Sequence, residues 1–233
     1  MLAVDDLIFG GIVHTALYQA KLERQLERLR SDNLILPKNI FKMVGTDSAA
    51  FYVDENINTI QDGMTQYSFH DIRPSDVVLD IGAFIGAFSL NVCNRVNHVY
   101  AVEPVMTDAL IKNIEFNHAK NITVFECALG AGESTIEWYG HSKTVSALSL
   151  EDIIKLCGGH VDFIKCDCEG GEWCMTLPSI YNVRRMELEV HNFNGLYKFR
   201  DFENLLISSG FDHTQRMLSS KLMLISAKNR YID

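Results

Sequence analysis

The sequence contains no run of the roughly 18–20 apolar residues that a membrane-spanning helix requires. Its apolar stretch near the N-terminus, residues 7–20 (LIFGGIVHTALYQA), is interrupted by His14 and lacks a basic flank. Neither a membrane span nor a secretory leader is therefore expected. C-x-x-C pairs are also missing. The six cysteines stand at 93, 127, 157, 166, 168 and 174, and a chain of 233 residues can bury a full core without disulfide staples. Cys127, Cys166 and Cys168 fall in apolar, strand-like runs, where cysteine behaves as a small hydrophobe. Reduced thiols and a cytoplasmic setting are the expectation. A basic excess is lacking too: 21 Lys and Arg against 30 Asp and Glu leave a formal charge of −9. That balance argues against a protein whose main task is gripping a phosphate backbone. Internal repeats and low-complexity linkers are absent, which leaves one domain.

What is present reads as a soluble α/β chain, 47% apolar and 22% charged. Asp5 or Asp6 can cap a helix running to about residue 31, with Ile8, Ile12, Leu22, Leu26 and Leu29 mostly at helical spacing. Its charged face, KLERQLERLR, reads as a solvated surface; pairing with a second copy or lying on a membrane surface are alternative uses. "IFKMVG" and "AFYVD" flank a Gly-Thr-Asp-Ser turn and predict a hairpin. Residues 1–70 thus form an extension, and residues 71–233 the main domain. From residue 76, apolar strand candidates at 77–82, 98–104, 122–130, 161–170 and 186–191 alternate with helical patterns at 85–95, 107–119, 149–157 and 199–209. Thr107 is a candidate N-cap, Ser149-x-x-Asp152 a capping box, and Gly210 a helix stop. Near-continuous apolar strands joined by helices mean a doubly wound parallel sheet covered on both faces. "HTQRML" and "KLMLISAK" add an antiparallel finish.

Ligands of such a sheet bind at the carboxyl ends of its strands. The first strand ends at Asp80, and Gly82-Ala83-Phe84-Ile85-Gly86 leads into a helix, with glycines where the backbone must approach a ligand. The second strand ends at Glu103, about twenty residues on, where an acid conventionally takes ribose hydroxyls. The nicotinamide fingerprint G-x-G-x-x-G receives a pyrophosphate, whereas here the pattern is D-x-G-x-x-x-G. An aspartate beside the loop repels a pyrophosphate and suits a cofactor with a cationic amine. S-adenosylmethionine, which carries an amine, a sulfonium and a ribose but no phosphate, is the expected cofactor.

Five blocks, "VVLDIGAFIGAFSL", "VYAVEPVMTDALIKNIEFNHAKNITVFECALG", "SLEDII", "VDFIKCDCEGGEW" and "MELEVH", together resemble the FkbM-type class I methyltransferases over about residues 76–191. The chain departs from that pattern at Phe84, where the family usually has Asn, and at Ala87, Cys168 and Gly171. The resemblance implies a seven-stranded Rossmann-like methyltransferase sheet with an antiparallel last strand. It also implies that Asp80, Gly82, Ala83, Phe84 and Gly86 line the methionine end of the cofactor, with Glu103 and Pro104 at the ribose. The Cys127–Ala128 region would meet the adenine, and Asp167 would lie beside the cofactor. Family members typically methylate hydroxyls of sugars and natural products.

For the chemical step, "KCDCEGGE" offers Lys165, Asp167, Glu169 and Glu172, and the next strand end offers Glu189 and His191. Lys165, Asp167 and Glu169 share a strand parity and are expected to face one way. Asp167 or Glu169 is the first choice of base, with Lys165 modulating them and neutral His191 as the rival. Asp167, Glu169, Glu189 and His191 also resemble an oxygen-rich set for a divalent cation, an alternative use that spacing does not establish. The leading expectation is O-methylation of a sugar, glycan or natural product, with nucleic acid not expected as a partner. RNA or protein methylation is the second reading, weakened by the absence of a basic run and of an Asn/Asp-Pro-Pro-aromatic tetrad. A non-catalytic cofactor-binding subunit is the third.

Overall fold

The computed structural model describes residues 42–45, 50–53, 66–138, 141–193 and 195–232. The predicted helix over 5–31 lies outside them. The predicted hairpin is present as β1 (Lys42–Gly45) paired antiparallel with β2 (Ala50–Val53).

The strand–helix alternation read from residue 76 becomes a single seven-stranded sheet. In chain order its elements are β3 (Val77–Ile81), α1 (Ala87–Val92), β4 (His98–Val102), α2 (Thr107–Phe116) and β5 (Ile122–Phe125). After an intervening ribbon come α3 (Leu150–Leu156), β9 (Phe163–Cys166), α4 (Leu177–Ile180), β10 (Arg185–His191), α5 (Phe199–Ser208), β11 (Phe211–Ser219) and β12 (Leu222–Asn229). The spatial order is β11-β12-β10-β9-β3-β4-β5. β3, β4, β5, β9 and β10 run parallel, and β12 inserts antiparallel to both β10 and β11. The chain leaves β3 toward β4 and returns through β9 on the other side, so the switch point lies between β3 and β9. The crevice outside their carboxyl ends is where a ligand of this sheet type binds.

The central strands are apolar on both faces because both are covered. Leu79, Ile81, Ile164 and Leu188 join one large core, and Val78, Val99 and Phe163 pack with Phe88 and Tyr67 on the other side. Ser149 caps α3 as expected, its Oγ accepting from Asp152 N at 3.1 Å. Gly210 follows α5 with φ +88°. Thr107 is not a cap: it is the first residue of α2, and its hydroxyl donates to Glu103 O at 2.6 Å, tying the helix to the end of β4.

Residues 122–130, expected as one strand, split into β5 and the two-residue β6 (Ala128–Leu129). β6 pairs parallel with β8 (His141–Leu148), which pairs antiparallel with β7 (Gly132–Trp138). This three-stranded ribbon stands beside the carboxyl end of the sheet and supplies one wall of the crevice. Among the described residues no helix is long and apolar enough to cross a membrane.

Candidate active site

The glycine loop closes against the opposite side of the switch point. Gly82 has φ +75°, and a β-carbon there would lie 1.7 Å from the carbonyl oxygen of Asp167. Only glycine allows the β3 loop and the end of β9 to touch. Gly82 N and Ala83 N both donate to Val102 O, at 2.9 and 3.1 Å, so the loop is also stitched to β4. Gly86, with φ +94°, opens α1 and lies against Leu110 rather than in the crevice.

Asp80 is not where the sequence reading puts it. It is fully buried behind the loop, accepting from Ser89 Oγ at 2.6 Å and facing Lys165 Nζ at 3.2 Å, and it does not line the crevice. Lys165 Nζ also donates to Gly82 O at 2.8 Å. Burial alone would lower the pKa of Lys165, but the Asp80 and Asp167 carboxylates outweigh it and hold the ammonium above its ordinary range. Lys165 is therefore a charged strut under the loop, not a proton acceptor. The aspartate before the glycines is there to seat that strut.

Glu103 does reach the crevice, and it organises the loop as well. One carboxylate oxygen accepts from Phe84 N at 2.8 Å, the other from Val105 N and Met106 N at 2.7 and 2.9 Å. Phe84 has φ +52°, in the left-handed region that bulky residues avoid, and Glu103 holds its amide there. Together with Ala83, Phe84, Pro104, Cys127 and Ala128, it lines a cavity of about 1180 Å³. That exceeds the roughly 300–1,000 Å³ of a site for one drug-sized ligand, so two ligands can share it.

At the other end of the cavity stand the acids. β9 ends at Cys166, so strand parity does not govern the residues beyond it. Lys165 turns under the loop, Asp167 faces Tyr67, and Glu169, at φ +57°, projects to the mouth with its side chain 72% exposed. Glu172 is fully buried and ties the turn together. It accepts from Cys168 N and Gly170 N, both at 2.9 Å, and lies 3.3 Å from His191 Nδ1. His191 Nε2 lies 3.4 Å from Glu169 and 3.7 Å from Glu189. Burial would lower the histidine's pKa, but the contact with Glu172 and the charges of Glu172 and Glu169 raise it to about 9. At neutral pH it is an imidazolium, not the neutral base expected from sequence. Asp167, Glu169 and His191 bring one potential ligand atom each within 4.8 Å of one another. A cation held by this set would have to displace the imidazolium proton of His191.

The residue that sequence reasoning missed is Tyr67. It comes from the segment read as an extension, and it is buried against Phe88 with its ring edge-on at 6.2 Å. Its hydroxyl lies 3.0 Å from Asp167 and 3.2 Å from Glu189. Burial, then those two carboxylates, push its pKa far above the phenol range, so it stays a donor. Gln66 donates to the same Glu189 oxygen at 2.5 Å. Burial, and then the charge of Asp167, raise Glu189 to about 7 against the lowering effect of His191. A carboxyl poised near neutrality thus opens onto the cavity between Asp167 and His191.

No family model matches the chain. One curated protein, the 23S rRNA (uracil(1939)-C(5))-methyltransferase RlmD of Klebsiella pneumoniae, is 25% identical over 163 residues, covering 65% of this chain and 37% of that protein. The chain thus spans little more than a third of that relative's length. Among solved structures, Trm5b from Pyrococcus abyssi aligns over 83% of this chain and 57% of its own, with a TM-score of 0.53 and 14% identity. M. jannaschii TYW2 in complex with AdoMet aligns over 83% and 88%, with a TM-score of 0.50 and 16% identity. The chain has the Rossmann-like fold of class I S-adenosylmethionine-dependent methyltransferases. The narrower FkbM resemblance has no matching family model behind it.

The expectation of a sugar, glycan or natural-product acceptor, with nucleic acid not expected as a partner, is corrected by these comparisons, which favour the second reading, RNA, over the first. The curated relative is by name an rRNA methyltransferase. The physical reason for the error is that a net charge of −9 is a sum and does not locate charge. Exposed Lys198 follows directly on Tyr197, which lines the cavity, and exposed Arg200 comes two residues after Lys198.

The double role of Glu103 carries a prediction. Glu103→Ala removes the acceptor of three backbone N–H groups together with the acid in the cavity wall. Charge-assisted hydrogen bonds contribute about 1.5–3 kcal/mol, so affinity for S-adenosylmethionine is expected to fall about 10- to 100-fold. Titration calorimetry reads it directly; unchanged affinity would remove Glu103 from the binding site.

Proposed function

We propose that the chain is a methyltransferase domain that transfers the methyl group of S-adenosylmethionine to RNA. The fold and the rRNA-methylating relative support the reaction class. The observation that carries the reading is the layout of the cavity: a glycine loop and Glu103 at one end, and a proton-sharing acid cluster at the other. Gly82, Ala83, Phe84 and Glu103 would hold the cofactor, with Cys127 and Ala128 on its adenine side. The residues fit it, because the wall offers carboxylates to an amine and hydroxyls, and the cations that line it, Lys165 and His191, are already engaged by carboxylates. Lys165, the nearest ammonium, is occupied by Asp80 and Gly82 O.

When bound, S-adenosylmethionine supplies an electrophilic methyl on a sulfonium. The protein must align an acceptor and receive its proton. Glu189 is the group we assign as base: it is poised near neutral pH, opens onto the cavity and is oriented by Gln66 and Tyr67. Asp167 shares the Tyr67 hydroxyl, so a proton taken by Glu189 stays within a hydrogen-bonded set. His191, as imidazolium, faces Glu172, Glu169 and Glu189 and offsets part of the crowded negative charge.

This arrangement suits an acceptor with its own lone pair, a nitrogen or a hydroxyl. Methylation at a pyrimidine carbon needs a thiolate to activate the ring. Of the cysteines at the cavity, Cys127 is 4% exposed with its pKa raised by burial. Cys168 lies 3.5 Å from Cys166 and is held, by that contact first, well above the thiol range. Cys174 is raised by burial and then by Glu172.

The cofactor half is tested by calorimetry of the purified chain with S-adenosylmethionine and with NAD. Binding of the first alone is expected; tighter binding of NAD, or none of either, would overturn it. The acceptor half is tested with labelled cofactor and total RNA, where acid-precipitable label destroyed by ribonuclease is the expected result. Label that survives ribonuclease would contradict it.

A further inference from the structure

The loop after β10 carries exposed apolar side chains beside the acid cluster. Phe193, Leu196 and Tyr197 are 50%, 76% and 51% exposed, and all three line the same cavity. Exposed apolar surface at a cavity mouth marks a contact site more often than chance. The two aromatic rings are also held in place. Phe193 stacks on the His191 imidazole at 5.0 Å between centroids and 29° between planes, and Tyr197 on Trp173 at 4.5 Å and 11°. Trp173 is itself fixed, donating from Nε1 to His191 O at 2.5 Å and meeting the buried Phe202 edge-on. Asn192, 9% exposed, clamps the loop by donating from Nδ2 to Tyr197 O at 2.7 Å. Its own amide donates to Lys221 O at 2.8 Å. Each ring thus has a partner on one side and half its surface open, so the entropy of ordering it is already spent in the free protein.

Two lysines sit on the backbone adjoining this loop. Lys198 follows Tyr197 directly, and Lys221 lies in the β11–β12 turn that the Asn192 amide holds against the loop. Both are exposed, and neither forms an ion pair among the described residues. Rigid aromatic faces flanked by unpaired ammonium groups are the chemistry that grips single-stranded nucleic acid, bases on rings and phosphates on cations.

We propose that Phe193 and Tyr197 form a stacking platform for unstacked bases of single-stranded RNA, with Lys198 and Lys221 at its edge taking the phosphates. The inference rests on the RNA reading of the site and adds where the strand lies. An acceptor base on the platform would stand beside Glu169, Glu189 and His191, and a duplex, whose bases are already stacked, would be refused.

The test is binding of the full chain to a short unstructured RNA oligonucleotide and to the same sequence as a blunt duplex, read by fluorescence anisotropy. The wild type is expected to prefer the single strand. Phe193→Ala/Tyr197→Ala should weaken that binding roughly 5- to 100-fold, while Phe193→Tyr/Tyr197→Phe should restore it. Calorimetric binding of S-adenosylmethionine checks that each variant is folded. Lys198→Ala/Lys221→Ala should weaken both RNAs and flatten the salt dependence. If the alanine pair binds the single strand as tightly as the wild type, the platform is wrong and the RNA reading stands. If the wild type binds neither RNA while it binds the cofactor, the RNA reading itself fails.

Discussion

Glu189→Gln is expected to lower kcat by about 10²–10⁴-fold with little change in cofactor affinity. Glutamine keeps the volume and can still accept from Gln66 and Tyr67, so the wall survives while its proton acceptor is lost. The pH profile supplies the second readout. Glu189 must be ionised to act as base; burial and Asp167 raise it to about 7, so kcat/KM should climb as pH rises through 7. His191, lifted to about 9 by Glu172 and Glu169 against the effect of burial, loses its proton above that pH. Glu189 and Glu169 are then left without their cation, and the rate should fall again. The rising limb should vanish in Glu189→Gln. If it persists near pH 7 at near wild-type kcat, the base lies elsewhere, and Asp167→Asn is the next variant to make.

The second large effect is structural. Gly82→Ala should lose cofactor binding and a substantial part of the stability. The new methyl group would meet Asp167 O at 1.7 Å, and alanine would also have to adopt φ +75°. Strain of about 1–3 kcal/mol and overpacking of about 1–3 kcal/mol are both incurred, for a fall in Tm of roughly 5–20 °C in a domain of this size. Gly132→Ala is the control. It has φ +76° but nothing within 4 Å of the added carbon, so it meets only the strain. Equal losses in the two variants would show that the contact between the glycine loop and the end of β9 is unimportant.

The parts of the site legible in the sequence are those whose signal is local. A strand running into Asp80-x-Gly82, with an acid twenty residues on, marked the loop and its companion strand because each feature spans a few residues. The antiparallel finish read at 213–228 is present as β11 and β12, with β12 inserted between β11 and β10. The parts that were not legible depend on neighbours distant in the chain. Tyr67 meets Asp167 across a separation of 100 residues, from a segment with no periodic pattern to place it. The charge state of His191 was misread because the residue type does not reveal which carboxylates will face it. Asp80 looked like a ligand contact, since its spacing is the same whether it faces the cavity or the strut behind the loop. The β7–β8 ribbon was missed because its residues alternate between partly buried and exposed without the long apolar run that marked the other strands.

The central claim is that a carboxylate-driven site methylates a lone-pair acceptor in RNA. The most direct measurement is mass spectrometry of nucleosides from unmodified RNA incubated with the purified chain and deuterated-methyl S-adenosylmethionine. The account predicts a deuteromethyl group on a base nitrogen or a hydroxyl, absent with Glu189→Gln. A 5-methylpyrimidine carrying the label would contradict the assignment of the chemistry, and no labelled nucleoside at all would contradict RNA as the acceptor.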